Sequence, residues 1–297
     1  MPVNDNLPTL SLCVATVGPW NEAESTCLLS IAAAKYAGAE VIVANGREKS
    51  DWPREVHNNV RWLERPGQDV FALRAILAAA ATGDVIVFTE DHCRPVSQGW
   101  CDLIRRHFAE NPECLALGGA VVNGSSDSLI DRANFEMNLG RFSPQVLTAK
   151  SPAIASMAVR RAALPERLPP GRLEYELMGQ WRSLPGAISM SPEWVTEHVQ
   201  WHGFLGTFLA HFDNGRTMGG LLRELEKEGG RRHRGEWVKK MVKSHIIDTG
   251  EALRLRGASS GWTSPQMLAI RALTYLHGFG AAIGLKSGTG NSPLRLR

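Results

Sequence analysis

The chain has 297 residues, 43% of them hydrophobic, enough to bury a full core as one large domain or two fused ones. Its formal net charge of +3 is too mild to mark a nucleic-acid partner. Five cysteines (Cys13, Cys27, Cys93, Cys101 and Cys114) show no CxxC spacing and sit on apolar segments, a pattern of reduced core thiols in a cytoplasmic protein rather than a secreted disulfide scaffold. The polar opening, residues 1–6, does not read as a secretory signal. The longest uncharged apolar run near the end, 272–285, is interrupted by glycines and falls short of the roughly 20 residues a bilayer requires. No internal repeat is evident.

In chain order, residues 10–17 (LSLCVATV) read as a buried strand closed by Gly18-Pro19. Asn21 caps a helix, with Glu24 three residues on, and Gly38 ends it. Residues 40–44 (EVIVA) form a second strand turned by Asn45-Gly46, and 59–63 a third. Asp69 caps an alanine-rich helix over 70–82. That helix delivers the chain to 83–95 (GDVIVFTEDHCRP). Residues 85–89 are β-branched or aromatic, as expected of a strand buried on both faces of a parallel sheet, and Pro95 stops the run. Its end carries Glu90, Asp91 and His92, three ligating groups in a row, at the carboxyl edge where open α/β sheets bind ligands. Ser97 caps a helix over 98–110, and 115–122 is another strand whose Gly118-Gly119 admits a close approach to the backbone. This alternation implies right-handed βαβ units and a Rossmann-like half over about 8–123.

Beyond Asn123 the rhythm changes. A helix is predicted over 126–139, a strand over 154–159, a helix over 173–184 after Pro169-Pro170-Gly171, and an extended stretch over 188–194. Residues 216–243 hold nine Arg/Lys against four Glu, and an apolar helix over 265–285 follows. A polybasic stretch beside an apolar helix suits an anionic membrane surface. The competing reading is a solvated face and a helix packed on the sheet.

Four fragments, in order over roughly residues 9–200, carry a resemblance: LSLCVATV, EVIVANG, GQDVFALRAILAAAATGDVIVFTEDH and RRAALPERLPPGRLEYEL. The final GTGNSP adds a fifth. Together they make the sequence similar to family-2 glycosyltransferases of the GT-A fold. The resemblance implies an α/β architecture: a GT-A-like, Rossmann-type, mostly parallel sheet flanked by helices, with a helical C-terminal extension. It divides the chain into a nucleotide-sugar-binding half (1–123), an acceptor-side half of the same domain (124–212) and a basic helical extension (213–297). The implied activity is metal-dependent, inverting transfer of a sugar from a nucleoside-diphosphate donor to an acceptor hydroxyl, lipid-linked or on a polysaccharide. The implied place is cytoplasmic, peripheral at the inner face of the membrane.

The resemblance also assigns roles. Glu90-Asp91-His92 stands where the family has Asp-x-Asp, so Asp91 and His92, joined by the downstream His198, would ligate a divalent cation, Mn²⁺ or Mg²⁺. His92 replaces the usual second aspartate. Thr16, Asn45, Arg74, Glu90 and Asp91 would bind the nucleotide-sugar, and Glu174, at the family's catalytic aspartate, would be the base. His202 and His211 read as structural. Two alternatives compete. Departures at Asn45, His92 and Leu173 suit a non-catalytic sugar-nucleotide-binding or scaffold protein. A nucleotidyltransferase fits less well, because Thr16-Val17-Gly18-Pro19-Trp20 offers one glycine and no cation.

Overall fold

The computed structural model describes residues 7–17, 26–147, 151–166, 177, 180–199, 202–227, 249–255 and 264–295. They fall into two compact units, Met1–Val122 with Ala149–Val199, and Asn123–Thr148 with Gln200–Arg297.

The first unit carries a sheet of eight strands: β1 (Leu10–Thr16), β2 (Glu40–Asn45), β3 (Arg61–Glu64), β4 (Val85–Glu90), β5 (Cys93–Pro95), β6 (Ala116–Asn123), β7 (Met157–Arg160) and β8 (Ile188–His198). Their order is β3-β2-β1-β4-β7-β6-β8-β5. From β3 to β4 the neighbours run parallel. Beyond β4 the sheet turns antiparallel, with β7 against both β4 and β6, and β5 against β8. The strand expected over 115–122 is therefore present as β6, but β7 separates it from the parallel strands. Four short residues late in the chain changed the neighbourhood of an early strand, which periodicity cannot foresee.

Alternation of side chains explains why helices cover both faces of the parallel strands. Leu10, Leu12, Val14, Val41, Val43, Val85 and Val87 face one way, packed with Ile31, Ile104 and Phe108. Those three come from α1 (Cys27–Tyr36) and α4 (Trp100–Glu110). Cys13, Ala15, Ile42, Ala44, Ile86 and Phe88 face the other way, against Leu73 and Leu77, and burying each large one stabilises by about 1.5–3 kcal/mol. A single turn, α2 (Arg54–His57), precedes β3, and α3 (Val70–Ala80) supplies Leu73 and Leu77.

Local signals were followed in part. Asp69 caps α3, its Oδ1 accepting from the Ala72 amide at 2.9 Å. Ser97 does not cap α4. Gly99, left-handed at φ 67°, stands at that position, and the Ser97 hydroxyl is drawn to β8, donating to the Glu193 carbonyl and accepting from the Val195 amide. The cap proposed at Asn21 lies outside the described residues. The close approach at Gly118-Gly119 is made by the protein itself: a Cβ on Gly119 would lie 2.6 Å from the Trp194 carbonyl oxygen, and one on Gly118 would lie 2.5 Å from the Met190 sulfur.

The second unit is helical, with α5 (Leu129–Asn138), α6 (Gly203–Lys227) and α7 (Pro265–Ser287). Ser128 and Ser264 cap α5 and α7. α6 begins well before the basic stretch; Gly203, Gly206 and Gly215 had hidden it from a propensity reading. A Cβ on Gly215 or Gly219 would meet the carbonyl oxygens of His277 and Ala281 at 1.9 and 2.0 Å. One on Gly280 or Gly284 would meet those of Phe212 and Arg216 at 2.2 and 2.1 Å. The pairs advance together along both chains, so α6 and α7 run parallel, backbone against backbone, as small-xxx-small spacing permits. Ala133, Met137, Leu253, Met267, Ile270 and Leu273 form the core of this unit. α7 reaches back to Pro265, past Arg271, and is long and apolar enough to cross a membrane by length and composition, with half of that stretch buried inside the protein.

Candidate metal centre

β4 brings Glu90 to the carboxyl edge of the parallel strands, in register with Ala15, while Thr16 stands opposite Asn45. Residues 91–92 turn the chain into β5. The three residues of β5 pair with the end of β8, Cys93 opposite His198 and Arg94 opposite Glu197, and the latter two form an ion pair. The Val199 amide continues the ladder to the His92 carbonyl at 3.0 Å. Ladder partners share a face of the sheet. Backbone pairing thus sets His198 beside the turn, although 106 residues separate it from His92.

Three ligating atoms converge there. His92 Nε2 lies 3.1 Å from His198 Nε2, and Glu90 Oε2 lies 3.6 and 3.3 Å from these two nitrogens. Donors about 2.1 Å from one ion stand about 3.0 Å apart in an octahedron and about 3.4 Å apart in a tetrahedron, so this triangle fits a divalent cation. The other oxygen of Glu90 is taken by Arg74, whose Nη2 donates to Oε1 at 2.9 Å. Asp91 faces the rear of His92, its Oδ1 2.8 Å from Nδ1. A carboxylate there accepts from Nδ1–H, which leaves the Nε2 lone pair for a ligand.

Charge follows from this packing. Burial alone would raise the Glu90 carboxyl, but the hydrogen bond from His198 and the charges of His92 and Arg74 hold it well below the usual carboxylate range. Burial lowers the His198 imidazole, with the neighbouring His92 adding to it, against the pull of Glu90. Burial thus favours the uncharged imidazole at His198, the form in which a histidine can ligate a metal. The Cys93 thiol is raised by burial and then by the charge of Glu90.

The residues singled out from the sequence are placed as follows. Glu90, Asp91, His92 and His198 come together in the first unit. Arg74 is 5% exposed, a buried clamp on Glu90. Thr16 is buried, and its hydroxyl has no partner among the described residues. Asn45 is engaged within the protein: Nδ2 donates to Glu64 Oε2 at 2.8 Å and Oδ1 accepts from the Arg47 amide at 3.1 Å. His211, in the second unit, is buried and bonded to Asn134 Oδ1 at 2.8 Å. Glu174 lies outside the described residues. Cys93 escaped the sequence reading; its position directly after Glu90-Asp91-His92 was the available signal. Two cavities of about 510 and 530 Å³ line α3 and the β4 entry respectively, and neither includes Glu90, His92 or His198. Ligand chemistry, not hollow volume, marks this site.

No protein-family model matches the chain, and no curated protein matches it by sequence. Solved structures do. A mannosyltransferase from Pyrobaculum calidifontis, in complex with GDP-Man and Mn²⁺, shares 14% identity over 95% of this chain and 88% of its own, with a TM-score of 0.57. GalNAc-T7 with UDP, GalNAc and Mn²⁺ shares 13% identity with a TM-score of 0.44; the match covers 66% of this chain and spans 44% of the length of GalNAc-T7. Glucosyl-3-phosphoglycerate synthase from Mycobacterium tuberculosis shares 15% over 65% of this chain and 70% of its own, with a TM-score of 0.43. The first of these likenesses establishes the fold: a mixed α/β sheet of GT-A type flanked by helices, with a helical C-terminus.

Proposed function

We propose that this chain is a metal-dependent glycosyltransferase that moves a sugar from a nucleoside-diphosphate donor to an acceptor hydroxyl, with inversion. The observation that carries the reading is the meeting of Glu90, His92 and His198 within 3.6 Å of one another at the carboxyl edge of a GT-A-like sheet. The neighbouring mannosyltransferase, with GDP-Man and Mn²⁺ bound, supports both the donor class and the ion. Mn²⁺ or Mg²⁺ bound here supplies the positive charge that neutralises a departing diphosphate.

The residues divide the work. Glu90 offers Oε2 while Arg74 holds its other oxygen, and His92 and His198 offer Nε2. Asp91 fixes the His92 tautomer. Thr16 at the end of β1 bonds the nucleoside, and Asn45, its ladder partner on β2, stands beside it. Glu174 takes the proton from the acceptor hydroxyl as its oxygen attacks the anomeric carbon, and the diphosphate leaves from the opposite face.

The test is a screen of nucleotide sugars for hydrolysis and transfer with Mn²⁺ and Mg²⁺, with the product anomer read by NMR. Turnover of one donor with inverted configuration supports the reading. Donor binding without turnover under any acceptor would replace it with a sugar-nucleotide-binding scaffold.

A second observation favours an acceptor at a lipid surface, reached from the cytoplasm. Leu268, Ala272, Tyr275, Phe279 and Ala282 form one solvent-exposed stripe along α7, at three- and four-residue spacing. Phe279 touches Phe212 of α6, whose Leu205 and Leu209 are also exposed. A contiguous apolar face is rare on a soluble helix pair, and the cations at 231–243 lie on the segment joining α6 to α7.

A further inference from the structure

The thiol of Cys93 completes a set of four. With Glu90, His92 and His198 it gives four ligand atoms that all lie within 4.8 Å of one another, and the sulfur is 3.9 Å from Glu90 Oε2. Cys93 is fully buried and is the ladder partner of His198, so two ligating side chains enter the site from directly opposed positions on β5 and β8. A catalytic ion needs open positions for its substrate, whereas four protein ligands close a tetrahedron. Both arrangements are available to these side chains.

Resting on the metal reading above, we propose that this site distinguishes two classes of ion: a hard ion such as Mn²⁺ is held by Glu90, His92 and His198 with open positions, whereas Zn²⁺ also takes Cys93 and is held closed, blocking the donor diphosphate. The chemistry favours the division. Thiolate selects Zn²⁺ over hard ions, and in any N/O/S site Zn²⁺ outbinds Mn²⁺. Bonds of about 2.3 Å to sulfur and about 2.1 Å to nitrogen put those donors about 3.6 Å apart in a tetrahedron. The sulfur lies 3.9 Å from Glu90 Oε2 and the whole set spreads to 4.8 Å, so closing the tetrahedron draws the thiol inward by up to about 1 Å.

On Zn²⁺ entry the S–H bond of Cys93 breaks, a Zn–S bond forms, and the proton goes to solvent buffer. No electron changes hands. The thiolate and Glu90 then cancel the ion's charge, with both imidazoles neutral, so neither an open position nor net charge remains for a diphosphate. With Mn²⁺ and an intact thiol, one positive charge stays uncompensated and faces the donor. The site so built makes Zn²⁺ a tight inhibitor of the Mn²⁺ form.

The experiment is a Co²⁺ titration of the metal-free full-length protein followed by absorption, with Zn²⁺ and Mn²⁺ affinities from calorimetric competition, on wild type, Cys93→Ser and Cys93→Ala. Expected in wild type are intense tetrahedral Co²⁺ bands with a near-ultraviolet sulfur-to-cobalt charge-transfer band. Expected in both variants are loss of that band, Zn²⁺ affinity lower by more than about tenfold, the effect even outer-shell partners of a metal can have, and unchanged Mn²⁺ affinity. Co²⁺ bound in wild type without the charge-transfer band overturns the proposal and leaves the catalytic site standing, as does unchanged Zn²⁺ affinity in the variants. Binding of none of the three ions would remove the metal site altogether. Should both variants fail to fold, the wild-type Co²⁺ spectrum decides alone.

Discussion

Asp91 Oδ1 sits 2.8 Å from Nδ1 of His92, on the side of the ring away from His198. In the proposed metal reading, that position makes Asp91 the carboxylate that orients His92. Asp91→Asn should lower Mn²⁺ affinity about 10- to 100-fold, the usual effect of removing the carboxylate behind a ligating histidine. Loss of a ligand itself, as in His198→Ala, should cost more. Calorimetric titration of both variants gives the comparison; equal losses would make Asp91 a direct ligand. Without metal, Asp91→Asn should unfold close to the wild-type temperature.

Glu174→Gln keeps shape and hydrogen bonding but cannot accept a proton. Transfer to the acceptor should collapse while donor affinity stays near wild type. Single-turnover assays beside equilibrium donor binding separate the two, and wild-type transfer by the variant would take the base role from Glu174.

Acid should weaken the first unit at Glu40. Burial opposes ionisation there, yet Ser11, the Thr82 amide and hydroxyl, and the charge of Arg61 outweigh it and lower the carboxyl below 4.5. Since the folded value is the depressed one, its stabilisation is complete above 4.5 and drains away as pH falls through the folded value. Urea unfolding across pH 7 to 3 should show a steeper acid loss in wild type than in Glu40→Gln; parallel curves would remove Glu40 from the account.

Two helical glycines of the second unit carry opposite predictions, Gly219 at the α6–α7 contact and Gly250 in a separate helical stretch over 249–255. Alanine in a helix gains about 1 kcal/mol over glycine. At Gly219 a Cβ would lie 2.0 Å from the Ala281 carbonyl oxygen, and crowding against backbone costs about 1–3 kcal/mol, so Gly219→Ala should destabilise. At Gly250 a Cβ would meet, among the described residues, only the end of the Met267 side chain at 4.0 Å, so Gly250→Ala should be neutral or stabilising. Thermal unfolding of the two variants checks the sign at each site.

The exposed stripe of α7 predicts vesicle binding. Wild type should co-sediment with anionic but not neutral vesicles, less at high salt, and Tyr275→Ser with Phe279→Ser should weaken it. Absence of binding at low salt would leave the stripe without a lipid role.

The sequence was most legible where one segment decides its own structure. Val85 to Phe88 reads as a strand buried on both faces and is one, and Asp69 announces α3. It was least legible where partners come from afar. Nothing near Ser97 reveals that β8 will claim its hydroxyl, nor anything near Ala116 that β7 will stand beside it. The site shows the same division. Glu90, Asp91 and His92 were visible as a run of ligating groups, but their separate roles come from the turn, Arg74 and β8. Helix α6 was obscured by glycines that propensity counts against a helix, whereas here they let a second backbone come close.

The pairing of β5 with β8 also sets a time. His198 follows His92 by 106 residues, and ribosomes add about 5–20 residues per second. Glu90 and His92 are thus made roughly 5–20 seconds before their third companion exists. On the metal reading proposed above, a nascent chain carries the ligands of the β4–β5 turn without the one that β8 brings. Completion of the cluster therefore waits until β8 reaches β5 at the far edge of the sheet.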